Sequence, residues 1–509
     1  MVKKIVCLLL GILLLIVLGR YLISSPEVAE QKKDSIVIAM TGGEPTGFDP
    51  QKTLNSNAMM IYVNIYDNLI ESDGACSNNI RPKLANSWDI SDDGLSYTFH
   101  LKSGVKFHNG EPFSADDVKY TLDRAKAEPA TAAYCTAIES VAVVDPQTVV
   151  VTLNTKWADF LRRLGTLGLS IVNEKAINEA GEDYGRNPVG TGAYRFVEWK
   201  QGASVTLAAF EEYHMGRAPI TNLSFKFLSD TNTAMIALQN GEVDAIPNSA
   251  AIDAQTVDKD PNLSLSYIPS DTSTYISMNT RKSPFDDIRV REAIRCAIDK
   301  KTVLQGALDG AGIPANSNLH ERMLGFNPDS PPVEHYDPEK AKRLMAEAGY
   351  TDGFKCTLKV IPTDSRDKAA QIVQSQLKVI GVDVSIEMLE RATFLEVTAN
   401  GDYEIVLGTL NWPDSDNMLT YLYGTNGPFN WKSVYSNPEV DRLLSEARQE
   451  LDQVKRGESY DRIVHIAYEN AHNIPLYFPN QFFSARKGLE GVQIINNVYY
   501  PCFRWSWAE

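Results

Sequence analysis

The sequence predicts an α/β protein of at least two lobes, and three observations carry that expectation. A chain of 509 residues is longer than one core usually organises, because domains run to about 100–200 residues. Its composition, 43% apolar with 22% charged and 9% aromatic, is that of a chain able to bury a core rather than remain disordered. Strand-type alternation and helix-type periodicity then follow one another without a fixed repeat, which favours sheets covered by helices over a solenoid.

The elements can be justified in order along the chain. Lys3 and Lys4 precede an apolar run from Ile5 to Leu18, and Arg20 closes it. This charged and then apolar pattern predicts an export segment over residues 1–23, as a signal peptide or an uncleaved signal anchor. Residues 24–35 are polar and aperiodic and read as a linker. Leu95, Tyr97, Phe99 and Leu101 alternate with polar residues, and Lys102-Ser103-Gly104 offers a turn before Val105 and Phe107, predicting a half-buried hairpin. A second hairpin is expected around Asp145-Pro146-Gln147, where Pro presets its own φ, and a third around Gly202.

Helices are signalled by their ends. Ser114 and Asp117 match a capping box, followed by Val118, Leu122 and Ala125 on one face. Asp337 is an N-cap, Pro338 occupies the first helical position and Gly349 stops the helix. A further helix is expected from Asp367, with Ile372, Gln376 and Ile380 on one row and Gly381 as its stop. Val382, Val384, Ile386 and Met388 then alternate, giving a helix that feeds a strand.

Charge and motif content exclude several functions. A formal net charge of −16 argues against a nucleic-acid partner, which needs clustered Lys and Arg to displace counterions from phosphates. There is no GxSxG, HExxH or GxxxxGK sequence and no neighbouring Cys and His, so an enzyme is not expected and no cofactor is implied. The seven histidines form no H-x-H or H-x-x-x-H pair, so no metal site is expected from local spacing. Beyond Cys7 there are five cysteines, an odd number in an exported chain; a Cys76 to Cys135 disulfide is one open possibility.

Several blocks together resemble the family 5 extracellular solute-binding proteins, the oligopeptide, dipeptide and nickel binders of ABC importers. They are GGEPTGFDP (Gly42 to Pro50), the long stretch from Arg81 to Arg124, GTGAYRFVEWKQG (Gly190 to Gly202), NGEVDAI (Asn240 to Ile246), the segment from Tyr275 to Lys300, and NIPLY (Asn473 to Tyr477). Each is weak alone; their common order is specific. The resemblance implies a two-lobed periplasmic-binding-protein-like fold, type II and cluster C, with an extra subdomain on lobe I. Lobe I would take residues 36–70, 185–268 and 480–509, the subdomain 71–184 and lobe II 269–479.

The same resemblance implies an exported monomer, in the periplasm or on the outer face of the membrane, that captures a peptide or another small polar ligand. It would deliver that ligand to the transmembrane subunits of an ABC permease. Nickel complexes, sugars and chemosensory binding are the alternatives within the fold.

Family members that bind peptides place a carboxylate in a lobe II segment to pair with the ligand's ammonium, because a desolvated ammonium needs a charge-assisted hydrogen bond. Here the matching stretch, Gly408 to Tyr423, puts Asn411 at that position and Trp412 beside it. An amide accepts a hydrogen bond without bringing charge, so Asp414 or Asp416 would have to substitute. Arg366, in PTDSRDK, is the candidate for a ligand carboxylate, since a guanidinium offers a bidentate fork. Tyr275, Ser277 and Asn279 alternate on a strand and are candidates to face the cleft, and Glu44 in the first loop is another.

Overall fold

A computed structural model describes residues 33–72, 80–331, 336–412, 414–425, 427, 435–495 and 498–508. The expected export segment and most of the linker, 24–32, fall outside these residues. The fold is mixed α/β and two-lobed, and its backbone is one sheet of 12 strands. From one edge the order is Val382–Met388, Phe354–Val360, Ile405–Asn411, Thr272–Met278, Asn473–Arg486, Ala245–Ser249, Ser35–Met40, Asn222–Phe227, Ser204–Ala209 and Tyr194–Lys200. Leu263–Pro269 and Gly312–Pro314 also pair with Asn473–Arg486.

That 14-residue strand, Asn473–Arg486, passes through both lobes. Its first half pairs antiparallel with Thr272–Met278, from Thr274 opposite Tyr477 to Ser277 opposite Asn473. Its second half pairs with Leu263–Pro269, from Pro269 opposite Asn480 to Leu263 opposite Arg486. The chain therefore crosses between lobes twice, once through this strand at Pro479 and once through Ser270 and Asp271, where Ser270 N–H donates to Pro479 O at 2.9 Å. Asp271 is buried there, and its Oδ1 lies 3.1 Å from His320 Nε2 and 2.6 Å from Arg322 Nη2.

Each lobe closes over its own apolar cluster. One gathers Ile36, Ile38, Phe48, Ile61, Val205, Leu223 and Trp505. Leu167, Val172 and Tyr184, which fall within the range expected for the subdomain, 71–184, pack there too. The other gathers Ile276, Val290, Leu358, Val373, Leu377, Ile405 and Ile474. Its helix-to-strand unit is the expected one: helix Asp364–Lys378 leads into Val382–Met388, which pairs parallel with Phe354–Val360, as a crossover helix requires. The helix starts three residues earlier than its apolar row suggested, because the Thr363 side chain accepts from Arg366 N–H and caps it. Arg366 is thus in the first helical turn rather than in a loop.

A separate four-stranded antiparallel sheet, ordered Ala85–Ile90, Ser96–Leu101, Thr148–Leu153 and Ile138–Asp145, forms the core of the added unit. Tyr97, Phe99 and Leu101 alternate inward against Val118, Leu122 and Ala125 of helix Ala115–Ala127. Ser114 and Asp117 form the expected capping box on that helix. The second and third hairpins form as expected across Asp145-Thr148 and Gly202, whose φ of 67° suits glycine. The first does not. Ser96–Leu101 already has a partner on each edge, Ala85–Ile90 and Thr148–Leu153, so Val105 and Phe107 turn into the core instead of pairing back on it. Cys135, Cys356 and Cys502 are buried free thiols, which leaves Cys135 outside any bridge to Cys76, a residue beyond the described ones. Burial pushes the Cys135 thiol up to about 11 and the Cys356 thiol up to about 12.

Candidate ligand cleft

Strand Ile405–Asn411 ends at the first crossing, where Asn411 pairs with Thr272 and donates from Nδ2 to Thr272 Oγ1 at 2.9 Å. The chain then turns at Trp412 into helix Ser415–Tyr423. This corner of lobe II faces the added unit and lobe I across a cavity of about 240 Å³, walled by Asn411, Trp412, Arg162, Arg163, Met59 and Tyr499 among others. A second chamber of about 420 Å³ lies between lobe II and the added unit, with Trp157, Tyr421, Lys156 and Arg448 in its wall. Tyr134, Arg163, Trp412 and Asn417 belong to both chambers and mark their junction. Trp412 and Tyr421 lie with ring centroids 5.0 Å apart, so the junction offers aromatic faces as well as charge.

The structure brings Asn411, Trp412, Asp414 and Asp416 together here, with different partners. Asp414 caps the helix, accepting from Asn417 N at 2.7 Å and Asn417 Nδ2 at 2.8 Å. Its Oδ2 lies 3.1 Å from Arg162 Nη2, an ion pair that joins lobe II to the added unit. Burial pushes Asp414 up, but Arg162 and Arg163 and the bonds from Asn417 outweigh it and hold the carboxyl below its usual range. Asp416 pairs with Arg448 Nε at 3.0 Å. Burial nevertheless pushes it up to about 6, and the charges of Asp414 and Asp159 add to the rise.

That shift sets a pH dependence. A carboxyl whose folded value exceeds its unfolded one contributes stability in full below about pH 4, and loses it as the pH rises through about 6. Asp416→Asn is therefore expected to flatten the fall in melting temperature between about pH 4 and 6. An unchanged profile would place the titration elsewhere.

The other candidates sit apart from the two chambers' walls. Tyr275 is buried in a lobe II cluster with Leu410, Met418 and Leu422, its ring against Gly408. Asn279 spends its amide on the carbonyls of Gly401 and Tyr403, at 2.9 and 3.0 Å, and Ser277, on the same strand, is half-buried. Glu44 is exposed and accepts from Trp199 Nε1 and Gly202 N, tying down the hairpin turn. Arg366 is half-buried at its helix start and donates from Nε to Thr363 Oγ1 at 3.0 Å. Arg162, Arg163, Tyr134, Trp157 and Tyr499 are the wall residues that the linear pattern did not single out. FLRRL reads as a short amphipathic turn, and nothing local reveals that it faces lobe II.

Among the described residues no group of three or more His, Cys, Asp or Glu is arranged to hold a metal ion, and no helix is long and apolar enough to cross a membrane. The family model for bacterial extracellular solute-binding proteins, family 5 middle, matches residues 79–432. The chain belongs to family 5 of these proteins. This solute-binding protein is 32% identical over 484 residues to heme-binding protein A of Haemophilus influenzae, covering 88% of each chain. It superposes on HbpA2 of Haemophilus parasuis with a TM-score of 0.86 at 28% identity, over 93% of this chain and 100% of that one. DppA of Helicobacter pylori, solved with the peptide STSA, matches with a TM-score of 0.75 at 28% identity, over 95% and 100%. As a family 5 protein it acts outside the cytoplasm as the substrate-binding component of an ABC importer, and its two lobes and two crossings are the architecture for closing on a solute.

Proposed function

We propose that this protein captures a short peptide or peptide-like solute in the cleft between its lobes and presents the closed complex to the transmembrane subunits of an ABC permease. The observation that carries the reading is the cleft at the crossing: Asn411 and Trp412 of lobe II face the wall formed by lobe I and the added unit. A ligand bridging those walls favours closure only through contacts that the open state lacks. The relationship to a peptide-loaded DppA supports the ligand class. The protein works as a monomer on the outer side of the membrane, held there by an uncleaved segment within residues 1–23 or released from it, and it binds without converting what it binds.

The test is native mass spectrometry of the protein purified from its own host, followed by denaturation to identify what is released. Release of peptides is the expected result. A sugar, a metal chelate or turnover of the released molecule by fresh protein would overturn the reading.

A further inference from the structure

In a chain of net charge −16, the two chambers carry the opposite balance. Their described walls hold four cations, Arg162, Arg163, Arg448 and Lys156, against two carboxylates, Asp414 and Asp416. Both carboxylates already have a guanidinium, Arg162 for Asp414 and Arg448 for Asp416. Lys156 is exposed and reaches only the outer chamber. Arg163 is the buried cation whose ion pair is long, 3.7 Å to Asp159.

Its surroundings set it apart. Arg163 is only 9% exposed, yet its Nε is buried without a hydrogen-bond partner among the described residues. The nearest carboxylate, Asp159 Oδ2, is 3.7 Å away and is committed to Arg162, which bonds both Asp159 oxygens. The face of Trp157 holds the guanidinium in place, 4.3 Å from its carbon, which orients a cation without satisfying its donors. A buried guanidinium with its Nε–H unused is costly to leave unmet, and a carboxylate is the group that matches its planar fork. Because Arg163 stands at the junction, it is within reach of a ligand in either chamber.

We propose that Arg163 receives a ligand carboxylate, so that the solute is an acidic, peptide-like molecule gripped at the junction of the two chambers by the added unit. This rests on the peptide reading above and names the chemistry it selects. Asn411 is consistent with it: among the described residues the lobe II wall has no free carboxylate for an ammonium at the family position, whereas the opposite wall holds Arg163, whose ion pair with Asp159 is long and shared with Arg162.

The test offers the purified full-length protein an equimolar tripeptide library with free C-termini, together with the same library C-terminally amidated, and reads the bound species by native mass spectrometry. Wild type is expected to take free acids over amides by roughly tenfold or more. Arg163→Gln should bring that ratio close to one, with amide binding reduced far less than acid binding, and Arg163→Lys should keep part of the preference because it keeps the charge. If the amides retained by wild type are those bearing Asp or Glu, and Arg163→Gln loses them, the carboxylate comes from a side chain instead of the terminus and the proposal stands.

A preference that survives in Arg163→Gln would overturn the proposal, and so would equal loss of acids and amides in a variant that melts like wild type. If neither library binds wild type, the peptide reading falls and this inference falls with it.

Discussion

Asp67→Ala is expected to cost roughly 3 kcal/mol of stability, because it takes one of two carboxylates from the buried Lys83, which keeps Glu71, and strips the acceptor from Thr191 and Tyr213. Asp67 is 4% exposed. It meets Lys83 Nζ at 3.4 Å and His214 Nε2 at 3.1 Å, and it accepts from Thr191 Oγ1 at 3.1 Å and Tyr213 OH at 3.2 Å. Those partners come from three separate stretches of chain, so one carboxylate pins the joint between lobe I and the added unit. Burial pushes Asp67 up, but Lys83, His214 and the Thr191 hydroxyl outweigh it and hold the carboxyl far below its usual range. The sign follows: this stabilisation is present above about pH 4 and disappears as the pH falls further. Urea unfolding followed by tryptophan fluorescence at pH 7 measures the loss. A change under about 1 kcal/mol would mean that the network is not a structural joint.

Asn411→Asp is expected to raise affinity for peptides with a free α-amine by roughly tenfold, the lower end of what a charge-assisted hydrogen bond contributes, since the side chain is exposed to the cleft. Calorimetric titration against the same peptides after N-acetylation isolates the effect, because an acetylated amine brings no charge to meet the new carboxylate. Equal affinity of the variant and wild type for free-amine peptides would show that the ligand's amino end lies away from this strand end.

Local chemistry made much of this fold legible and left the cleft wall mostly hidden. Capping boxes, Pro at a first helical position and turn dipeptides act within a few residues, so helix Ala115–Ala127, helix Pro338–Glu347 and two hairpins could be read directly. The expected pairing of Leu95 to Leu101 with Val105 and Phe107 failed because strand partners are chosen by the whole sheet, and both edges were already taken. At the site, the strand end at Asn411 and Trp412 was legible because it follows a recognisable segment. Arg163 was not, since its meaning depends on a surface supplied from far along the chain. Asn279 runs the other way: alternation made it a candidate for the cleft, and its amide holds two backbone carbonyls inside lobe II.

The shared strand also orders events in time. Asn473–Arg486 is the axis on which both halves of the sheet are assembled, and it follows in sequence all four strands it pairs with. Nascent lobe I and lobe II each lack a central strand until residues 473–486 are made, and pairing so distant in sequence is slow to form. An exported polypeptide gains from that delay, since the segment that joins both halves of the sheet arrives only after the strands it pairs with.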